Sequence, residues 1–393
     1  MIARSTSHPD TARPAWLEAI LWAAYLACSW TWCIGMFLPV LLVRDFGVWG
    51  WVVFAVPNVI GAAAMGWVLW DGASERIVSR HRTAVEWFRL VTVVFQLWFL
   101  ASFVAAPITL NNNHIVPDAA RFAIVAAMVA GLLFGLDVRL GLLAWLGSAV
   151  CAAMAASRGG LEWPGWPGAA PNDVLWLAPV CAFGFALCPY LDPTFHQARQ
   201  ATRGGTARAV FTLGFGVLFL AMIVFTLGYA QWGNEFASGA GGLALTAALF
   251  IALHIAMQLV YTCTVHARAT PGRGPWPAAR IAFAMLAACG VALATPHVPV
   301  VAGLAGREVV YRLFMSFYGL VFPAYVWLLM IPRGTADSSD RGVPGRRAMR
   351  VFWLAVGIAA PFYWMGFIER AELWLVPGLG IVLASRLFVA PRT

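Results

Sequence analysis

Ser29-Trp30-Thr31-Trp32-Cys33-Ile34-Gly35, followed by Pro39, interrupts the first of twelve apolar segments in this chain of 393 residues. A second polar break, Cys188-Pro189-Tyr190-Leu191-Asp192-Pro193-Thr194-Phe195-His196, interrupts the sixth. Lipid offers no partners to peptide groups freed by non-helical backbone. Such breaks persist at bilayer depth only where protein or a wet cavity surrounds them. Two broken helices in corresponding positions of two halves point to a solute site between those halves.

The composition places the breaks in a membrane. Hydrophobic residues make up 61% of the chain, charged residues only 11%, and mean hydropathy is +0.77. A soluble domain carries about 25% charge. With about 20 apolar residues needed per crossing, spans are expected near 16–43, 48–70, 86–107, 118–136, 138–156, 173–193, 208–230, 241–266, 278–298, 307–331, 349–367 and 371–389. The fourth and fifth touch through Leu136-Asp137-Val138-Arg139, where one long kinked segment is the alternative. The expected fold class is therefore an all-α polytopic membrane protein with about 12 transmembrane helices.

The net charge of +9 comes entirely from arginine, and 20 of the 26 fall on one set of alternating loops. The other loops hold Arg44, Arg121, Arg158, Arg307, Arg312 and Arg370. This is the positive-inside pattern, which places both termini in the cytoplasm of a multi-pass inner (plasma) membrane protein. The basic charge is thus read as topology, and nucleic acid is excluded as a partner; the expected partners are the lipid bilayer and a small molecule. Seven cysteines show no metal-type spacing. Phosphate loops, zinc motifs and nucleophile elbows are absent from the sequence, so no metal or organic cofactor is expected.

Residues 1–15 form a polar tail, and the Gly/Pro/Trp-rich loop 157–172 separates a first set of five spans (16–156) from a second (173–331). The polar loop 332–348 precedes two additional spans (349–389). Because five is odd, the second set enters the membrane opposite to the first, as an inverted repeat requires. No residue-level similarity links the halves.

At the first break, Ser29, Thr31 and the Trp30 and Trp32 indoles can line a cavity, and Cys33 and Gly35 follow where the helix is weakened. Free carbonyls there could coordinate a cation; an ordinary Pro-kinked helix is the bland reading. At the second, Asp192 stands between Pro189, Tyr190 and Pro193, with His196 four residues on. If helix resumes at Pro193, Asp192 becomes its N-cap. An intramembrane carboxylate there can bind a cation, an ammonium group or a proton, or merely cap an interfacial helix. In the eighth span, His254, Gln258 and Thr262 form one polar stripe at i, i+4 and i+8. Such a stripe serves ion passage, with His254 able to carry a proton, or interhelical hydrogen bonds worth about 0.6 kcal/mol each. Glu308 and Arg312 can pair at i, i+4 on the outer end of the tenth span. A gate and a structural ion pair look alike there. Pro57-Asn58 and Gln96 read as packing.

From Ser29-Trp30-Thr31-Trp32 through Phe46-Gly47, then at Phe54-Ala55-Val56-Pro57-Asn58, the chain resembles the sodium/solute symporter family, and Pro189–Arg199 is loosely similar to that family's second broken helix. The resemblance implies a LeuT-type 5+5 inverted repeat plus two C-terminal helices, and ion-coupled symport by alternating access. A small organic solute would sit between Ser29–Gly35 and Pro189–His196, walled by Trp30, Trp32 and Tyr190 and anchored by Asp192. Na+ or H+ would be the coupling ion, handled by Asp192, His254, Gln258 and Thr262. The chain departs from the family in being shorter, in lacking the extra N-terminal helix, and in having His254 and Gln258 where a Ser/Thr pair usually meets sodium. The alternatives are a non-transporting membrane sensor or partner-binding module of the same fold, and a polytopic membrane enzyme using Asp192 and His196 as acid and base.

Overall fold

Inside hydrocarbon each segment must satisfy its own peptide groups, which selects helix. The computed structural model describes residues 14–104, 109–110, 113–114, 118–159, 161–165, 171–232, 245–269, 275–331 and 345–389, and these are helical nearly throughout. Among the described residues the only sheet is a small hairpin pairing Thr109 with His114 and Leu110 with Asn113.

The first expected span is two helices, α1 (Ala15–Trp30) and α2 (Cys33–Phe46), bent by 56°. Then come α3 (Val48–Val68), the short amphipathic α4 (Ala73–Arg80), α5 (Arg82–Phe99), α6 (Asp118–Phe134) and α7 (Leu140–Ser157). The sixth expected span is α8 (Asn172–Leu187) with a 3-10 turn over Cys188–Leu191, and the short α9 (Pro193–Ala201) follows it. α10 (Gly204–Leu213) runs through a π turn into α11 (Leu220–Gly228). The rest are α12 (Leu245–Arg268), α13 (Ala278–Ala294), α14 (Gly306–Ser316, continued by mixed π and α turns to Met330), α15 (Arg346–Phe367) and α16 (Leu375–Ser385).

Nine described helices are long and apolar enough to cross a membrane, and the bent α1–α2 pair would make a tenth. The expected spans at 118–136 and 371–389 correspond to shorter helices: α6 has 17 residues and α16 has 11. A straight crossing takes about 20. The fourth and fifth segments are separate helices, because Gly135 turns the chain with φ 81° just after α6. Residues 1–13 of the tail and 332–344 of the polar loop lie outside the described residues.

The centre of the bundle is α12, with 72% of its most apolar stretch buried, against 22% for α7, α13 and α15 at the periphery. α12 packs on α7 and α1, while α3 packs on α8. Lipid supplies no hydrophobic drive between helices, so close backbone approach at small residues holds such bundles together. At Gly61 of α3 a Cβ would lie 2.4 Å from the Phe185 carbonyl oxygen of α8, and at Gly184 of α8 it would lie 2.8 Å from the Tyr318 carbonyl oxygen. Backbone atoms cannot rotate aside. Gly61→Leu is therefore expected to lower the melting temperature or abolish a monodisperse size-exclusion peak, by overpacking worth about 1–3 kcal/mol or more. Gly290→Ala, with nothing within 4 Å of its added Cβ, leaves both unchanged.

Candidate functional site

Carbonyls in and beside the first break accept from side chains. α1 ends at Trp30, Trp32 is extended (ψ −179°), and α2 begins at Cys33. The Cys28 carbonyl accepts from the Thr262 hydroxyl of α12 at 2.8 Å, and that of Cys33 accepts from the Tyr311 hydroxyl of α14 at 3.1 Å. The Ser29 carbonyl accepts from the Trp32 indole N–H. Thr31 turns its hydroxyl back to the Ala27 carbonyl at 2.7 Å. Gly35 sits tight against the Phe219 ring, which an added Cβ would approach to 3.3 Å.

The second break is organised by one carboxylate. Asp192 is extended (ψ 117°) and N-caps α9. Its Oδ1 accepts the Thr194 N–H at 2.7 Å and lies 2.6 Å from the Thr194 hydroxyl. Pro193 opens the helix, where a missing N–H costs nothing. Oδ2 faces His266 Nε2 of α12 at 3.2 Å, and His266 Nδ1 lies 2.9 Å from the Thr262 carbonyl. A carbonyl only accepts, which assigns a proton to Nδ1. The Nε2–Oδ2 contact then needs a second proton, carried either as imidazolium against carboxylate or as carboxylic acid against neutral imidazole. Without it a lone pair faces a carboxylate, fully buried on both sides.

The two breaks touch. The Thr194 hydroxyl lies 3.0 Å from Ser29 Oγ, and the Trp30 and Phe195 rings meet edge-on at 4.9 Å. The Trp32 ring packs edge-on against His266 at 5.4 Å and Tyr318 at 5.3 Å. Trp30 donates its indole N–H to Asn58 Oδ1 at 2.7 Å, so Asn58 braces this contact. Ser29, Trp30, Thr31, Trp32, Cys33, Gly35, Pro189, Asp192 and His196 are all buried. Tyr190 is half-buried and faces a groove on the flank of the bundle instead.

The polar stripe of α12 divides. Thr262 reaches the first break, and His266, its next turn, reaches the second. His254 Nδ1 and Gln258 Nε2 meet Ser148 Oγ of α7 at 2.9 and 2.7 Å, away from Asp192. His196 faces away as well: Nδ1 lies 2.9 Å from Ser74 Oγ of α4, and Nε2 lies 2.9 Å from the Tyr190 carbonyl. Beside it, Arg199 binds the Leu69 carbonyl (2.7 Å), the Thr202 carbonyl (2.9 Å) and Asp71 (2.7 Å). That hydrogen bond holds the Asp71 carboxyl below its ordinary range. Burial pushes the His196 imidazole below its ordinary value, against the Tyr190 carbonyl and the charges of Asp192 and Glu75, which favour the proton.

Glu308 and Arg312 belong to a larger ion network. Arg44 grips Glu308 through both terminal nitrogens at 2.8 and 2.6 Å, and Arg312 pairs with Glu308 at 2.8 Å and Asp45 at 2.6 Å. Arg44 and Arg370 also reach Asp45, at 2.9 and 3.2 Å. The Asp45 and Glu308 side chains are only 2% and 3% exposed. The network ties the end of α2 to α14 and to the turn after α15.

Sequence reasoning missed four contributors. His266 continues the i, i+4, i+8 stripe by one more turn, a signal available in the spacing. Thr194 is the ordinary second residue of a capped helix and carries no signal. Asp45 adjoins an arginine counted only as topology. Arg89, fully buried in α5, donates to the His266 and Ala267 carbonyls and lies 4.5 Å from the Trp276 ring centroid. It caps the end of α12 that carries His266.

No family model and no curated protein matches the sequence. Among solved structures, the chain is similar to a Na+-coupled sialic acid symporter in its substrate-bound outward-open state, with TM-score 0.49 and 13% identity over 93% of this chain and 88% of that one. It is also similar to Mhp1 in an inward-facing conformation, with TM-score 0.40 and 11% identity over 99% of this chain and 94% of that one. Similarity at this level carries no argument about function.

Two outcomes follow from the geometry. Arg44→Met takes from buried Glu308 both bonds of its two-pronged pair and leaves it Arg312 alone, which is expected to cost up to about 3 kcal/mol and to appear as a drop in melting temperature. At the Ser74–His196 contact, a folded-state histidine pKa below the unfolded one contributes stability above the unfolded value, and that stability is lost as pH falls below it. Hydrogen-exchange protection of α9, corrected for intrinsic rates, should decline as pH drops below about 6.5, and His196→Gln should flatten that dependence.

Proposed function

We propose that this chain is a secondary active transporter that couples uptake of a small organic solute to an ion, by alternating access about the α1–α2 break and the Cys188–Asp192 break. The observation that carries this reading is the buried Asp192–His266 pair, at the place where the two breaks touch. A carboxylate in hydrocarbon is costly and in general marks an ion or substrate path. Here it also holds α9 in place and, through Thr194, reaches Ser29 of the opposite half. A change in its protonation or partner thus acts on both broken helices at once.

In this reading the arrangement is LeuT-type: residues 16–156 form one repeat, 173–331 its inverted counterpart, and 349–389 two added helices. The arginine-rich loops and both termini lie in the cytoplasm, and the membrane is the inner one. Solute binding displaces the Trp32 ring from between the breaks, with Trp30 and the Pro189 backbone as walls and Asp192 as the anchor. The coupling ion is the proton shared by Asp192 and His266. Thr262 holds the first break's carbonyl, and His254 and Gln258 extend the same helix face as a path towards the site. The Arg44–Asp45–Glu308–Arg312 network is the outer gate; the Ser74–His196 and Asp71–Arg199 clamp is the inner one.

A sensor or partner-binding module of the same fold is the second reading, favoured by how completely Trp30, Trp32 and Phe195 fill the contact. A membrane enzyme has little support, because His196 commits both ring nitrogens to Ser74 and Tyr190.

The test is uptake into proteoliposomes under an imposed proton gradient or sodium gradient, using solutes that stabilise the purified protein. Asp192→Asn and His266→Gln are each expected to cut proton-driven uptake by at least tenfold while the folded protein is retained. Sodium-driven uptake indifferent to both variants would defeat the proton assignment. Solute binding without movement under either gradient would defeat transport and leave the sensor reading.

A further inference from the structure

A cavity of about 1010 Å3 runs along the flank of the bundle between α3, α8, α4 and the last turns of α14. On the α3 side, Val56, Ile60 and Val68 lie on one helix face and are 50%, 64% and 55% exposed. On the α8 side, Ala178, Ala182 and Ala186 repeat every fourth residue, and their small side chains leave the groove open. From Val52 to Val68 the α3 wall runs about 24 Å at 1.5 Å per residue, which exceeds half of a hydrocarbon core about 30 Å thick.

The end of the groove has a different character. Beyond the apolar walls the lining includes Arg76, Arg80 and His81, with no carboxylate among the described lining residues. Arg76 lies 5.5 Å from the Trp70 ring centroid, and Trp70 is itself 61% exposed, as a residue at a membrane interface would be. His81 Nδ1 lies 3.1 Å from the Tyr325 hydroxyl. Apolar walls of leaflet length, opening sideways along two spans, admit an occupant already dissolved in hydrocarbon. A basic mouth at the arginine-rich end selects one with an anionic head.

We propose that this groove is a binding site for one anionic diacyl phospholipid of the arginine-rich leaflet, its acyl chains along α3 and α8 and its phosphate at Arg76 and Arg80. The site stands apart from the contact between the breaks and does not depend on the transport reading. It does adjoin that machinery. Tyr190 of the second break lines the groove wall, and α4, which carries both arginines, holds His196 through Ser74. An occupied groove presses α4 onto α9.

The test is native mass spectrometry of the full-length purified protein titrated with phosphatidylglycerol or with phosphatidylcholine of the same chain length, with a melting curve for each. Phosphatidylglycerol is expected to be retained at one per chain and to raise the melting temperature more than phosphatidylcholine. Arg76→Gln should weaken its retention about fivefold, and R76Q with R80Q more, leaving phosphatidylcholine unaffected. Ala182→Phe, a change at an exposed position, fills the groove and should abolish specific retention; Ala186→Leu gives a second reading if the first variant folds poorly. Equal retention of the two lipids by the unaltered protein overturns the proposal, as does undiminished phosphatidylglycerol binding in the groove-filled variants. Inorganic phosphate alone matching the stabilisation would assign the basic mouth to a free anion and overturn it equally.

Discussion

Everything around the two breaks answers one constraint: polar groups placed where lipid and packed protein replace water must find partners inside the chain. Asp192 concentrates that demand. Its two oxygens engage the N-terminus of α9, the Thr194 hydroxyl and the His266 ring, so one carboxylate fixes a helix start, a link to the first break and the ring of a central helix. The first break meets the demand differently, taking the Thr262 hydroxyl for the Cys28 carbonyl and its own Trp32 indole N–H for that of Ser29. The central helix α12 supplies a partner to each break from successive turns. That explains why it is the most enclosed helix in the bundle, and why Arg89 is spent capping its end.

The positions of the breaks were legible because proline, glycine and polar residues inside apolar runs leave helix little choice. The N-cap at Asp192 was legible for the same reason: proline in the next position restricts the residue before it and suits the first helical turn. What spacing could not supply was partner choice across the bundle. His254 and His266 share a helix face, yet one meets Ser148 and the other meets Asp192. They stand twelve residues, about 18 Å, apart along α12, and which neighbour lies at each height is set by the packing of the bundle. Likewise Tyr190 sits within the polar segment, but the 3-10 turn carries its ring to the outer flank.

Arginine shows the same limit from the other side. Counting charges by loop treats every guanidinium as a topological marker. Arg44, Arg89, Arg199 and Arg312 instead close the ends of helices and bridge segments far apart in sequence. The planar guanidinium, with five donors and an apolar stem, suits that work where a lysine ammonium would not. A chain without lysine keeps both uses open at every basic position.

The contacts made by Gly61 and Gly184 have a mechanical consequence. α3 meets α8, and α8 meets α14, with backbone against backbone and no side chain between to re-pack. These three helices form a stiff block, because a slide of one past another would bring main-chain atoms into collision. Among the described residues the ladder of helical bonds is irregular at the Thr31–Trp32 joint, at the Cys188–Asp192 turn, in the π turn at 214–219 that packs against α1, in the π turn after α5 and in the π turns of α14. The two breaks are thus both the polar contact of the bundle and two of the places where its helices are free to bend without sliding past one another.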